Sequence, residues 1–212
     1  MSSLNLSWLR ENMPANPVIF DIGCADLHDT IQIKNTIPSS KVFAFECSNN
    51  WPNNGNRALD YGINYFNMAM SDSEGVLNFY PSGTFDGQTW PWSGSVCSPA
   101  EPLINDRWTW QQPYQVKSTT LNSFCKEHGI KPDFIHIDAQ GAEYKIFLNL
   151  DPNNRPRAIW AETTEFQSYN TGVTIGQFNE LMSSLGYNEF YKGPSDSLYV
   201  LNGTSLTAYE ES

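Results

Sequence analysis

The feature that most limits what this chain can fold into is an alternation: short runs of β-branched and aromatic residues take turns with stretches of helical spacing. Val18-Ile19-Phe20, Val42-Phe43-Ala44-Phe45, Phe134-Ile135-His136-Ile137 and Ala158-Ile159-Trp160-Ala161 are short apolar runs, as expected of strands buried on both faces. Parallel strands need crossovers that cover a sheet face, so the pattern predicts an α/β fold with a doubly wound, mainly parallel sheet. Residues 187–191 and 197–201 read as a C-terminal antiparallel strand pair.

The helical stretches carry their own punctuation. Asp26 reads as an N-cap, with Leu27, Ile31 and Lys34 on helical spacing and Pro38 as the stop. Thr120 caps a helix bearing Leu121, Phe124, Cys125 and His128, which Gly129 ends. A helix from near Gly141 carries Tyr144, Phe147 and Leu148. Thr174 and Gln177 form a capping-box pattern before Phe178, Leu181, Met182 and Leu185, with Gly186 at the close. Residues 48–57 hold several Asn with Pro52 and Gly55, which leaves room only for a short or late helix. Residues 63–70 read as a third strand, and residues 76–80 as another after a polar turn.

Size and charge bound the function. The 212 residues fit one domain spanning 1–212, and a hydrophobic fraction of 40% argues against disorder. Acidic residues outnumber basic ones, 23 to 12, for a net charge of −11 and no Lys/Arg cluster. Nucleic acid is therefore not an expected partner, because nothing offsets repulsion from phosphates. The acidic balance suits a neutral or cationic acceptor, and it equally serves solubility. Cys24, Cys47, Cys97 and Cys125 lack the spacing of a zinc site or a disulfide scaffold. Neither a signal peptide nor an apolar stretch of roughly 20 residues is visible, so no membrane partner is expected. A reducing, cytoplasmic compartment is the expectation, and the glycosylation patterns at Asn5 and Asn202 then carry no meaning.

In doubly wound sheets, ligands bind beyond the carboxyl ends of the strands, beside the switch point. The first strand runs into Asp21-Ile22-Gly23-Cys24-Ala25. Gly23 allows a sharp bend and a close backbone approach. A nicotinamide fingerprint needs several glycines to seat a pyrophosphate on a helix N-terminus. Here a single glycine lies between Asp21 and Asp26, whose charges repel a pyrophosphate and tolerate a sulfonium or ammonium. Glu46 follows the second strand, 23 positions after Gly23, where a carboxylate is placed to accept ribose hydroxyls. Asp138 follows the strand at 134–137, with Gly141 and Glu143 opening the next helix. Glu162 ends the strand after that, with Glu165 close behind. One such acid is often only a helix cap. Four successive strands ending in Asp or Glu point to a site.

These blocks resemble the FkbM family of methyltransferases in order and spacing from about residue 17 to 165. They are residues 18–23, residues 42–46, Asn67-Met68-Ala69, Ser118-Thr119-Thr120-Leu121, and Phe134-Ile135-His136-Ile137-Asp138-Ala139-Gln140-Gly141-Ala142-Glu143. The resemblance implies a Rossmann-like, class I methyltransferase-like fold, S-adenosyl-L-methionine as cofactor, and O-methylation of a sugar or natural-product hydroxyl. The candidate cofactor-binding residues are then Asp21, Gly23, Cys24, Ala25, Glu46, Cys47, Ala69, Met70 and Asp138. The sequence departs from the family twice. Leu27 stands where a second glycine is usual and is expected to narrow the methionine end of the pocket. Cys47 replaces the usual proline after the ribose-binding acid and is expected to alter only the local turn.

For catalysis, Asp138 is the first candidate as base toward an acceptor hydroxyl, with Glu143 and Glu162 positioning the acceptor or the methionine amine. His136 reads as a buried core histidine on the far side of its strand. Asp138, Glu162 and Glu165 offer a less favoured place for a divalent metal such as magnesium or calcium, since hard cations take carboxylate oxygens. Residues 81–114 interrupt the alternation with Trp90, Trp92, Trp108 and Trp110 among several prolines and glycines. Such a long insertion is either a lid over a small-molecule or glycan acceptor or a satellite core, and both readings stand. Two other functions compete. One is a methyltransferase fold that binds without catalysing, favoured by Leu27; the other is a carbohydrate-binding module, favoured by the tryptophans.

Overall fold

Strand β1 (Val18–Ile22) lies at the centre of a seven-stranded sheet, and the chain leaves it in both directions. On one side follow β2 (Lys41–Phe45) and β3 (Asn64–Phe66), both parallel. On the other lie β10 (Phe134–Ile137) and β11 (Ala158–Glu162), also parallel, then β13 (Asp196–Leu201) antiparallel and β12 (Tyr187–Lys192) at the edge. The switch point thus falls between β1 and β10. The computed structural model describes residues 4–100, 103–164 and 168–210.

The apolar runs become strands because both sheet faces are covered. Phe20, Ile22, Phe43, Phe45, Ile135 and Ile137 pack on one face against α4 (Leu121–His128), α5 (Glu143–Phe147) and α6 (Ile175–Ser184). Their neighbours Ile19, Val42, Ala44, Phe134 and Trp160 pack on the other, against α1 (Leu6–Asn12), α2 (His28–Thr36) and α3 (Asn54–Asp60). Every second side chain goes to the same core, so no polar face breaks the runs. Helix ends follow the expected chemistry. The Thr120 hydroxyl accepts from the Ser123 N–H, Gly129 closes α4 at φ +61°, and Thr174 with Gln177 forms a capping box on α6. Caps of this kind are each worth about 1 kcal/mol.

Three details differ from the sequence reading. Helix α2 starts at His28, with Leu27 in the cap position, and Asp26 acts one residue earlier by accepting from the His28 N–H at 3.0 Å. Residues 63–70 are two strands, β3 and β4 (Ala69–Ser71), in different sheets. The chain turns at Asn67, whose side chain donates to the Glu46 carbonyl at 3.0 Å, and this peels it off the main sheet. β4 joins β9 (Tyr114–Thr120) and β5 (Gly75–Phe79) in a three-stranded sheet. Helix α1 was unforeseen.

The insertion builds a second three-stranded sheet from β6 (Ser82–Phe85), β7 (Gln88–Thr89) and β8 (Trp108–Trp110). Asp86 and Gly87 have φ of +49° and +76°, as a two-residue hairpin turn requires. Arg107 pairs with Asp86 at 2.6 Å and lies over the Phe85 ring.

Candidate functional site

Beyond β1 the chain bends at Gly23, where φ is +82° and a Cβ would lie 1.9 Å from the Asp138 carbonyl oxygen. Only glycine fits so tight an approach between the two strands of the switch point. The Gly23 and Cys24 N–H groups both donate to the Phe45 carbonyl, at 2.9 and 3.1 Å, which ties the bend to the end of β2. Ala25 and Leu27 also adopt left-handed φ, +42° and +68°. Leu27 therefore holds the backbone shape a glycine would take. Its side chain is fully buried in the core beneath α2 and does not line the cavity described below, which corrects the expected narrowing.

Glu46 follows β2 directly and reaches back to the bend. Its Oε2 accepts from the Ala25 N–H at 2.9 Å and its Oε1 from the Ser48 N–H at 2.6 Å. Burial raises its pKa to about 7, against the pull of the Ser48, Ala25 and Cys47 N–H groups toward the charged form. A proline at position 47 lacks the last of these donors, so Cys47 changes the electrostatics of Glu46 as well as the turn.

Asp21 sits inside β1, buried, and pairs with His136 Nδ1 at 2.8 Å across the β1–β10 register. The Thr30 hydroxyl of α2 donates to its second oxygen. Burial alone lowers the His136 pKa, but the Asp21 carboxylate, with Asp29 and Asp138 farther off, outweighs it and lifts the value to about 9. His136 is thus buried as expected and cationic at neutral pH. Its expected orientation was wrong: residues two apart on a strand share a face, and His136 lines the same cavity as Asp138.

Asp138 is exposed at the end of β10. The Gln140 amide nitrogen donates to Asp138 Oδ1 at 2.5 Å and to Glu162 Oε2 at 2.8 Å, so one side chain spans the two acids. Glu143 lies elsewhere. It is buried off the cavity, accepts from the Ala139 N–H at 2.7 Å, and burial raises its pKa to about 8. That places it in the turn beneath the site and not among groups facing an acceptor. Asp196, opposite Glu162 in the β11–β13 pairing, extends the acidic row, and its pKa is raised by burial. Glu165 lies outside the described residues, and among the described residues no three His, Cys, Asp or Glu side chains are grouped to hold a metal.

These groups open onto one cavity of about 730 Å³. Asp21, Gly23, Cys24, Ala25, Glu46, Cys47, Ala69, Met70, Asp138 and Glu162 all line it. Asp26, Asp29 and Asp196 add to its negative charge, and among the described residues no Lys or Arg borders it. Residues 90–96 of the insertion form one wall. Trp90 and Trp92 remain 40% and 45% exposed there, and Trp92 lies 4.7 Å from Trp51, centroid to centroid. Trp108 and Trp110 instead pack, partly buried, against the main core, Trp108 also against Phe85 at 4.6 Å and Trp110 edge-on to Tyr169, and the Trp110 indole N–H donates to the Leu103 carbonyl. The tryptophan cluster divides, two rings toward the cavity and two against the main core, so no separate satellite core is built from them.

Sequence reasoning missed Trp51, Thr30, Asp196 and Gln140. The two-residue spacing of His136 and Asp138 was a legible signal for a shared face. Nothing in the sequence marks Gln140.

The Methyltransferase FkbM domain matches residues 27–189 of this sequence. The chain belongs to the FkbM methyltransferase family. The match begins just past the Gly23 bend and takes in β2, β10 and β11 with the acids at their ends. Among curated relatives, 2-O-methyltransferase NoeI of Sinorhizobium fredii (strain NBRC 101917 / NGR234) is 29% identical over 181 residues, 80% of this chain and 72% of that protein. Among solved structures, PKMT2 from Rickettsia typhi superposes with a TM-score of 0.50 at 12% identity, over 99% of this chain and 55% of that one. Precorrin-6y C5,15-methyltransferase from Geobacter metallireducens GS-15 gives 0.45 at 13% identity, over 92% and 83%. The fold is the class I methyltransferase fold, and the chain is an FkbM-family methyltransferase.

Proposed function

We propose that this FkbM methyltransferase uses S-adenosyl-L-methionine to methylate a hydroxyl of a neutral sugar or related small acceptor. The single observation that carries the cofactor assignment is the convergence of the Gly23 bend and the Glu46 carboxylate, joined by the 2.9 Å bond from the Ala25 N–H. Glu46 would accept from the ribose hydroxyls, with Cys47, Ala69 and Met70 beside the base, while Asp21, Gly23, Cys24, Ala25 and Asp138 face the methionine end. The carboxylate-rich lining suits a cofactor that brings a sulfonium and an ammonium and no phosphate.

When bound, the cofactor supplies a methyl group whose carbon bonds to the acceptor oxygen as the carbon–sulfur pair returns to sulfur. Asp138 takes the hydroxyl proton, and Glu162 orients the acceptor. Trp90 and Trp92 offer flat faces to a sugar ring. The 2-O-methyltransferase name of NoeI supports oxygen as the target. The same reading takes the chain as one methyltransferase-like domain carrying an insertion at about 81–114.

The test has two parts. Calorimetric titration with S-adenosylhomocysteine should give saturable binding, and no heat would remove the cofactor assignment. Methyl transfer from labelled cofactor should then be compared on neutral methyl hexopyranosides and their 6-phosphates. Turnover of the neutral series alone is expected, since the lining repels phosphate. Faster methylation of the phosphates would refute the acceptor class.

A further inference from the structure

Gln140 occupies a position that the proposed function does not explain. Its φ is +51°, a left-handed conformation that costs a residue with a side chain about 1 kcal/mol or more unless its surroundings hold it. Four contacts do. The amide nitrogen donates to Asp138 and Glu162 at 2.5 and 2.8 Å. Carboxylates only accept, so the nitrogen of the amide must face them and the oxygen must face away. On that side the Tyr169 hydroxyl sits 3.1 Å from Gln140 Oε1 and 2.6 Å from the Ser93 carbonyl. The main-chain carbonyl of Gln140 accepts from the Ser95 hydroxyl at 2.7 Å. Ser93 and Ser95 belong to the wall that carries Trp90 and Trp92.

One residue therefore touches both acids on one side and the aromatic wall on the other. We propose that Gln140 is a positioning residue that links the seating of the Trp90–Trp92 wall to the orientation of Asp138 and Glu162, so that the acids are aimed at an acceptor when the wall is down. The inference rests on the acceptor reading above, because it gives the wall and the two acids a common substrate. A lifted wall breaks the Ser95 bond to the Gln140 carbonyl and the Tyr169 bond to the Ser93 carbonyl. The Tyr169 proton then turns to Gln140 Oε1, the left-handed backbone loses its tie, and the amide nitrogen shifts from its place between Asp138 and Glu162.

Hydrogen exchange of peptides covering residues 90–97, read by mass spectrometry on the full chain saturated with S-adenosylhomocysteine, measures the link without an acceptor. Asp138→Asn and Gln140→Asn should each speed exchange in the wall at least fivefold. Asn tolerates the left-handed conformation but is too short to span both acids. The double variant should be no faster than Gln140→Asn alone, a non-additivity expected only if Asp138 acts on the wall through Gln140. Tyr169→Phe should loosen the wall to a similar degree, and a native far-ultraviolet circular dichroism spectrum with one cooperative melt shows that each variant is folded. On the methyl hexopyranoside that the native protein turns over, Gln140→Glu should lower kcat at least tenfold with the cofactor KM within twofold.

Wall exchange that ignores Asp138→Asn and Gln140→Asn, or strictly additive effects, overturns the link while leaving the base role of Asp138 intact. Full turnover by Asp138→Asn overturns the base role itself and, with it, the part assigned to Gln140 in catalysis.

Discussion

The Glu46 carboxylate accepts from the Ala25 N–H at 2.9 Å, so the acid that ends β2 and the bend that follows β1 are built as one unit. Its second oxygen is held by Ser48 in the same way, at 2.6 Å. Glu46→Gln keeps the size but offers one acceptor where two N–H groups need one each, and it brings a donor toward them. Hydrogen bonds to a charged group are worth about 1.5–3 kcal/mol, so affinity for S-adenosylhomocysteine should fall roughly ten- to a hundredfold.

The same carboxylate sets a pH dependence. Burial holds its pKa at about 7, above the usual 4.5, so it is partly protonated just below neutrality. Hydroxyl donors need the charged form, and binding should therefore strengthen as pH rises from 6 to 8. Titrations of the native chain and Glu46→Gln at both ends of that range check this, since the variant should lose most of the change. An equal pH response in both would rule Glu46 out as its source.

The buried pair of Asp21 and His136 makes stability depend on alkaline pH. A free histidine titrates near 6.5 and His136 near 9, so the folded state keeps a proton that the unfolded chain gives up in between. The pair's contribution is complete below about 6.5 and is lost as pH climbs through 9. The interval corresponds to at most roughly 3 kcal/mol. Urea denaturation at pH 6.5, 8 and 9.5 should show a declining midpoint. His136→Ala should cost about 3–5 kcal/mol at neutral pH by stranding the Asp21 charge.

Leu27 pits two effects against each other. Leu27→Gly relieves about 1–2 kcal/mol of left-handed strain but removes a fully buried side chain, where Leu→Ala alone costs about 3–5 kcal/mol. The core term is larger, so net destabilisation of roughly 2–4 kcal/mol is expected. Affinity for S-adenosylhomocysteine, measured at a temperature where the variant is folded, should move less than threefold because the side chain is not in the cavity wall.

Much of this architecture was legible because the central strands are buried on both faces and announce themselves as apolar runs. The acids at Asp21, Glu46, Asp138 and Glu162 were legible because strand ends in such a sheet share an edge. Other elements depend on contacts remote in sequence. The break between β3 and β4 exists because Asn67 bonds to the Glu46 carbonyl, and no local pattern encodes that partner. Glu143 looked like a site residue by its place at a helix start, yet its carboxylate is spent on the Ala139 N–H. The Asp86-Gly87 hairpin was readable from its dipeptide and was masked by the surrounding prolines and glycines. Alternation in β9, with Val116 and Ser118 inward, was masked in the same way.

Asp21 and Glu46 come from one early stretch of the chain and Asp138 and Glu162 from one late stretch, and the β1–β10 pairing brings the two stretches side by side. The complete constellation has no counterpart in a partly folded chain, because the stretch with β1 and β2 and the stretch with β10 and β11 each hold only two of the four acids. Ligand occupancy is then a reporter of global folding. A nucleoside ligand at a hundred times its Kd adds about 2.7 kcal/mol to the stability of the whole sheet, visible as a single upward shift of one melting transition.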